Sequence, residues 1–147
     1  MRKVLLSVLG TLLLSGALHA ADKNMMHCFA FTPIEKATPA EWDAWYKAND
    51  ALPKKMKGIV KKVWYGKLTA TLAQYAVPAD ARKKLQAGEK SVTAPVEYRP
   101  RQWGMCMEMN GLDKLKAYTE HPYHKEWVAV YEKVRVAGTT TYDILGQ

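Results

Sequence analysis

Between Arg101 and Met109 the chain alternates with a period of two. Trp103, Met105, Met107 and Met109 interleave with Gly104, Cys106 and Glu108. Only a β-strand sends every second side chain to the same face, so this stretch is a strand with one large apolar face turned inward. The rest of the chain has to supply the cover for that face.

The flanking segments provide strands and helices in a definite order. Asn24 to Phe31 is predicted as the first strand, with His27, Phe29 and Phe31 on one face, Cys28 and Ala30 on the other, and Pro33 ending it. Thr38-Pro39-Ala40-Glu41 is a capping box with proline at the first helical position. Trp42, Trp45, Tyr46, Asn49 and Leu52 follow at helical spacing before Pro53, which makes the tryptophans core anchors. Gly58 breaks this helix, and Ile59 to Leu68 reads as the second strand. Leu112 to Tyr118 and Pro122 to Ala137 are two further helices, the second carrying Trp127, Val130 and Val134 on one stripe. Gly138 ends it, and Thr139 to Leu145 is rich in β-formers.

Residues 69–97 stand apart as an insertion. They contain Pro78, Gly88 and Pro95 and one good helical stretch, Ala79 to Ala87. They are predicted to make a partly helical excursion at one end of the sheet, lidding a pocket or widening a dimer contact, with Arg82, Lys83, Lys84 and Lys90 in solvent. The order β-α-β-β-α-α-β gives an α+β fold, a ferredoxin-like split βαβ sheet. Helices cover one face of four antiparallel strands and leave the other bare. Burying the bare face requires a second copy, so the expected assembly is a two-fold homodimer forming an α/β barrel.

The first 20 residues are an address rather than part of this domain. Arg2 and Lys3 precede the apolar run Val4 to Leu18, and Leu18-His19-Ala20 is a small-residue cleavage site. That run is shorter than the roughly 20 residues of a membrane-spanning helix. Cleavage after Ala20 leaves residues 21–147 as one domain, exported to the periplasm, with no membrane attachment expected. Loss of Arg2 and Lys3 lowers the net charge from +8 to +6, because the leader holds no acid. The remaining lysines are scattered in short groups without a nucleic-acid motif, so they are read as a solvated face and no nucleic-acid partner is expected.

All three histidines beyond the leader sit in informative places. His27 is on the first strand, while His121 and His124 flank Pro122 at the junction of two helices, with Tyr118 just before them. Together with Met26-His27-Cys28-Phe29-Ala30-Phe31, Gly66 and the closing Thr140-Thr141-Tyr142-Asp143, this Tyr118…His121-Pro122-x-His124 pattern resembles the stress-responsive dimeric A/B barrel (Dabb) family over about residues 24–68 and 98–146. A plant polyketide cyclase of that family uses residues that match His27, Tyr118 and His124. The resemblance implies a cavity between sheet and helices, with His124 as base and Tyr118 and His27 orienting a substrate. A further pocket histidine of the cyclase falls on Trp103 here, which sets the substrate chemistry apart.

The residues support part of this independently. His124 lies in the first turn of a helix, where the positive end of the dipole disfavours the imidazolium, and a neutral imidazole suits a general base. Trp103 and Met105 are expected to wall the pocket, and His121 to touch the ligand or simply cap the helix. A small aromatic or enolisable carbonyl compound fits such a lining. The competing reading is a non-catalytic stress-response or structural dimer in which the same groups only hold the fold.

Cys28 and Cys106 could bond in an oxidising compartment, but unpaired cysteine is among the most buried residue types, and buried free thiols are the favoured expectation. Met25, Met26, Met105, Met107 and Met109, with His27 and the cysteines, are soft donors that could suit copper(I). Haem is a further alternative, with no axial-ligand motif beyond the lone histidines. Core packing explains the methionines better, so neither a metal nor a cofactor is expected. The chain has no Gly-rich phosphate loop, zinc-spaced set or serine elbow, which argues against nucleotide chemistry and hydrolytic triads.

Overall fold

A computed structural model of the protein describes residues 24–146; the leader and Gln147 lie outside the described residues. The elements in chain order are β1 (Met25–Phe31), α1 (Pro39–Lys55), β2 (Val60–Ala76), α2 (Ala79–Gln86), β3 (Glu97–Met109), α3 (Lys114–Glu120), α4 (Pro122–Tyr131) and β4 (Thr140–Leu145). The strands form one antiparallel four-stranded sheet in the order β2-β3-β1-β4. This is the split βαβ arrangement that the element order predicts.

Local chemistry fixes the ends of α1. Thr38 N–H donates to Glu41 Oε2 at 2.8 Å and Glu41 N–H donates to Thr38 Oγ1 at 3.3 Å, a complete capping box ahead of Pro39. The helix runs on through Pro53 to Lys55, since a proline in the last turn removes only one bond near the frayed end. Met56 N–H then closes the end on Leu52 O at 2.8 Å.

The core lies between the sheet and helices α1, α3 and α4. Met25, Phe31, Trp45, Leu52, Met107, Met109 and Val134 have no exposed surface. Phe31 of β1 meets Trp45 of α1 edge-on at 5.6 Å, while Phe29 meets Trp127 and Tyr131 of α4 at 5.7 and 5.3 Å. Offset and edge-on ring pairs of this kind add to the area term of burial.

Three element bounds differ from the sequence expectation. The third helix is displaced from Leu112–Tyr118 to Lys114–Glu120. α4 stops at Tyr131 rather than Ala137. Beyond it the backbone turns to pair with the segment after β1: Ile34 N–H donates to Val134 O and Val136 N–H to Thr32 O, both at 2.9 Å, around a Pro33–Arg135 bridge. Those bonds satisfy the groups that further helix would have used. The insertion is partly helical, as expected, but its flanks are strand. Its short helix is present as α2, with Arg82, Lys83, Lys84 and Lys90 all exposed, but residues 69–76 extend β2, and residues 72–76 pair with residues 97–101 of β3 as one long arm. A register shift between Lys67 and Leu72 marks where the arm leaves the main sheet.

The cysteines need the largest correction. Cys28 and Cys106 are direct cross-strand partners with Cα atoms 4.1 Å apart, and their sulfurs are bonded. Buried free thiols are therefore overturned. Opposed positions on neighbouring strands bring the Cβ atoms within bonding reach, which sequence separation conceals. The copper alternative loses its two cysteine donors for the same reason. Both sulfurs are consumed, and Met25, Met105, Met107 and Met109 face the helices while Met26, Cys28 and Cys106 face the opposite side.

The helix-free face is apolar at its centre. Trp64, Cys106, Cys28 and Tyr142 form one row across the four strands, and Gly66, Gly104, Ala30 and Thr140 form the next. The small residues of the second row leave a trough, part of a cavity of about 310 Å³ lined by Trp64, Leu68, Leu72 and Tyr142. Trp64, Leu72, Tyr142 and Ile144 are 44–54% exposed, so this is the bare face expected of the fold.

Candidate active site

The junction between α3 and α4 is built by Pro122. A proline pushes the preceding residue out of helical conformation, and His121 is extended, with φ −65° and ψ 135°. His121 therefore ends one helix and begins the next. Its N–H donates to Tyr118 O at 3.3 Å, and its Nδ1 accepts from Tyr123 N–H at 3.1 Å. His121 is thus placed as a helix cap, the simpler of its two expected roles.

The sharp turn brings Tyr118 and His124 into edge contact, with ring centroids 4.6 Å apart. Tyr118 also meets His27 of β1 at 5.7 Å. The three residues singled out by the sequence therefore converge, one from the sheet and two from the helix junction. His124 further stacks on Trp127 at 6.1 Å, one helical turn along α4.

A fourth member, Asp143, was not anticipated. It is the cross-strand partner of His27 in the β1–β4 pairing, and its Oδ1 lies 2.6 Å from His27 Nδ1. The contact fixes the imidazole: Nδ1–H donates to the carboxylate, leaving Nε2 to accept a proton. The sequence does carry Asp143 in its closing strand, but only the strand order reveals that it faces His27.

Trp103 is not a wall of this cluster, whereas Met105 is the next residue on the same face of β3 after the one opposite His27. Met107 stands opposite His27, Met105 opposite Phe29 and Trp103 opposite Phe31. Trp103 is four residues along β3 from Met107, about 13 Å at the usual rise per residue. It packs instead on Trp42, centroid to centroid 4.5 Å, at the other end of the sheet, while Met105 is 2% exposed in the core.

Electrostatics set the protonation states. Burial first, and the neighbouring His27 second, lower the proton affinity of His124, while a backbone hydrogen bond with Thr119 works against them. Burial pushes the Tyr118 hydroxyl well above its ordinary range, with Tyr131 adding to the shift. At neutral pH the cluster therefore holds a neutral imidazole at His124, a neutral phenol that can donate at Tyr118, and a carboxylate-braced imidazole at His27. These are the parts of acid–base chemistry: proton acceptors beside a donor suited to a developing oxyanion.

The lowered His124 value has a consequence for stability. The unfolded chain takes up this proton near pH 6.5, whereas the folded chain resists until lower pH. The unfolded state thus binds more protons in that window, and stability falls as pH drops below about 6.5. Denaturant unfolding between pH 7.5 and 5 should show this decline, and His124→Gln should flatten it.

Neither a protein-family model nor a curated protein matches this sequence. Solved structures do. A dimeric ferredoxin-like protein of unknown function from Thermobifida fusca is similar with a TM-score of 0.55 and 17% identity, over 87% of this chain and 95% of that one. The fold is ferredoxin-like. A second ferredoxin-like structure, a Dabb family protein from Mesorhizobium loti, has a TM-score of 0.50 and 13% identity over 85% of this chain and 98% of its own. The ferredoxin-like sheet is also similar to that of a hydroxynitrile lyase from Passiflora edulis, with a TM-score of 0.55 and 6% identity over 86% and 95% of the two chains.

Proposed function

We propose that this chain is an exported, periplasmic homodimer of the dimeric A/B barrel (Dabb) family. Each protomer carries an acid–base site for a small aromatic or enolisable carbonyl compound. The observation that carries the reading is the convergence of Asp143, His27, Tyr118 and His124 from three separate elements of the fold. His124 takes a proton from carbon next to a carbonyl, and Tyr118 donates to the oxygen on which charge develops. His27, held by Asp143, orients the substrate or relays the proton. Similarity to a lyase in the same fold supports proton-transfer chemistry, and the dimeric Thermobifida fusca protein supports the assembly. The helix-free face with its exposed Trp64, Tyr142 and Ile144 is the surface a second copy would cover. An obligate contact of this kind exceeds about 1,000 Å² in total.

A second reading is favoured by one observation. Tyr118 is only 2% exposed, as expected of a ring cluster that merely fills space. His124→Ala separates the two. A ligand site predicts nearly unchanged unfolding free energy with lost ligand binding; a purely structural cluster predicts a loss on the order of 1–3 kcal/mol, as for any stranded buried partner. Light scattering at micromolar concentration checks the assembly in the same samples. Twice the protomer mass is expected for wild type and the single mass for Trp64→Asp, while a wild-type monomer contradicts the dimer.

A further inference from the structure

Far from His27, by the start of β4, the structure holds a buried cation whose hydrogen bonds all go to neutral acceptors. Arg101 is 2% exposed and stands opposite Leu72 of β2. Its Nε donates to Gln74 Oε1 at 3.0 Å and Thr140 Oγ1 at 3.1 Å, and its Nη1 donates to Thr32 Oγ1 at 3.2 Å. All three acceptors are neutral. The nearby carboxylates are engaged elsewhere: Glu97 pairs with Arg99 at 2.6 Å and Glu132 with Arg135 at 3.3 Å. Nη2 of Arg101 has no acceptor among the described residues. Burying an ionised group is costly unless a charge of opposite sign accompanies it, and a guanidinium cannot escape by losing its proton.

Beside that nitrogen the chain carries a glycine. Gly138 has φ +91°, and a Cβ built on it would lie 3.7 Å from Arg99 Nη1 and 3.9 Å from Arg101 Nη2. Two guanidinium groups two residues apart on one strand thus converge on the notch over a glycine. Thr139 beside it shares a 3.3 Å contact with the Tyr131 hydroxyl, and the Tyr131 ring lies 4.8 Å from the Arg135 guanidinium. Burial, and then Arg99, lower the proton affinity of Arg101, while Tyr131 and Glu97 work against them.

We propose that the notch over Gly138 is an anion site, in which Arg101 Nη2 and Arg99 Nη1 hold a small oxyanion of the carboxylate or phosphate class. Planar guanidinium forks match the paired oxygens of either class. The site is separate from the histidine cluster and does not depend on the function proposed for it.

Calorimetric titration of the full-length mature protein with inorganic phosphate, and separately with acetate, tests this at constant ionic strength maintained with chloride. Saturable binding of at least one probe is expected, and the probe that saturates identifies the class. Arg99→Gln should weaken it by about tenfold or more, in line with the loss of a charge-assisted pair, and Lys57→Gln, an exposed cation elsewhere, should leave it unchanged. Arg101→Lys should abolish it. If that buried change prevents folding, Arg99→Gln, whose side chain is 40% exposed, carries the test alone. No saturation with either probe, or equal binding by wild type and Arg99→Gln, would overturn the proposal.

Discussion

Replacing both cysteines, Cys28→Ala with Cys106→Ala, is expected to lower the unfolding free energy by about 4 kcal/mol on the chain-entropy relation for a long closed loop. The bonded residues are 78 positions apart, so the crosslink denies the unfolded chain many conformations. It ties the two central strands of the sheet, β1 and β3, at the point where their side chains face the helix-free side. Against a total stability of roughly 5–15 kcal/mol, such a loss would leave the domain marginal. Denaturant unfolding of wild type and double mutant at one protomer concentration measures it, because dimerisation makes apparent stability concentration-dependent. A difference below about 1 kcal/mol would mean that the sheet already restrains these strands in the unfolded ensemble.

Trp45→Ala is expected to cost a comparable amount, about 3–5 kcal/mol, the range for truncating a fully buried aromatic. Trp45 has no exposed surface and meets Phe31, Tyr65 and Trp42 at centroid distances of 5.6, 5.3 and 5.7 Å. No single neighbour can collapse into the space it would leave, because the contacts come from β1, β2 and its own helix. Its indole Nε1 is buried without an acceptor, so Trp45→Phe removes an unsatisfied donor while keeping a ring and should be far milder than Trp45→Ala. Trp64→Ala on the open face is the contrasting case: its effect should appear in assembly, not in protomer unfolding. Chemical unfolding of the three variants ranks them, and a Trp45→Ala cost below that of Trp64→Ala would show that the core is misassigned.

The sequence was most legible where one face is buried and the other is not. The alternation of β3 is written in Trp103, Met105, Met107 and Met109, and the capping box at Thr38 marks α1 to the residue. The arm at residues 69–76 is illegible for the converse reason. Most of its residues are exposed, so solvent imposes no period on Thr69-Ala70-Thr71-Leu72. The early end of α4 was hidden because Val134 remains buried whether the segment is helical or bridges to Ile34, and periodicity cannot tell these apart. In the candidate site, His27, Tyr118 and His124 could be picked out by residue type at strand and helix positions. Asp143 could not, since its link to His27 exists only through β-sheet register. Trp103 was misplaced because sharing a face with His27 does not make it a neighbour; position along the strand decides that.

Hydrogen–deuterium exchange at the carbon beside the carbonyl of a simple aryl methyl ketone, followed by proton NMR in D2O, tests the proposed acid–base site most directly. The account predicts exchange faster than in buffer, with a rate that falls by about 10²–10⁴ in His124→Ala, the usual contribution of a positioned general base. It further predicts that the wild-type rate declines on acidification as His124 takes up its proton. Exchange no faster than in buffer, or equally fast in wild type and His124→Ala, would contradict it.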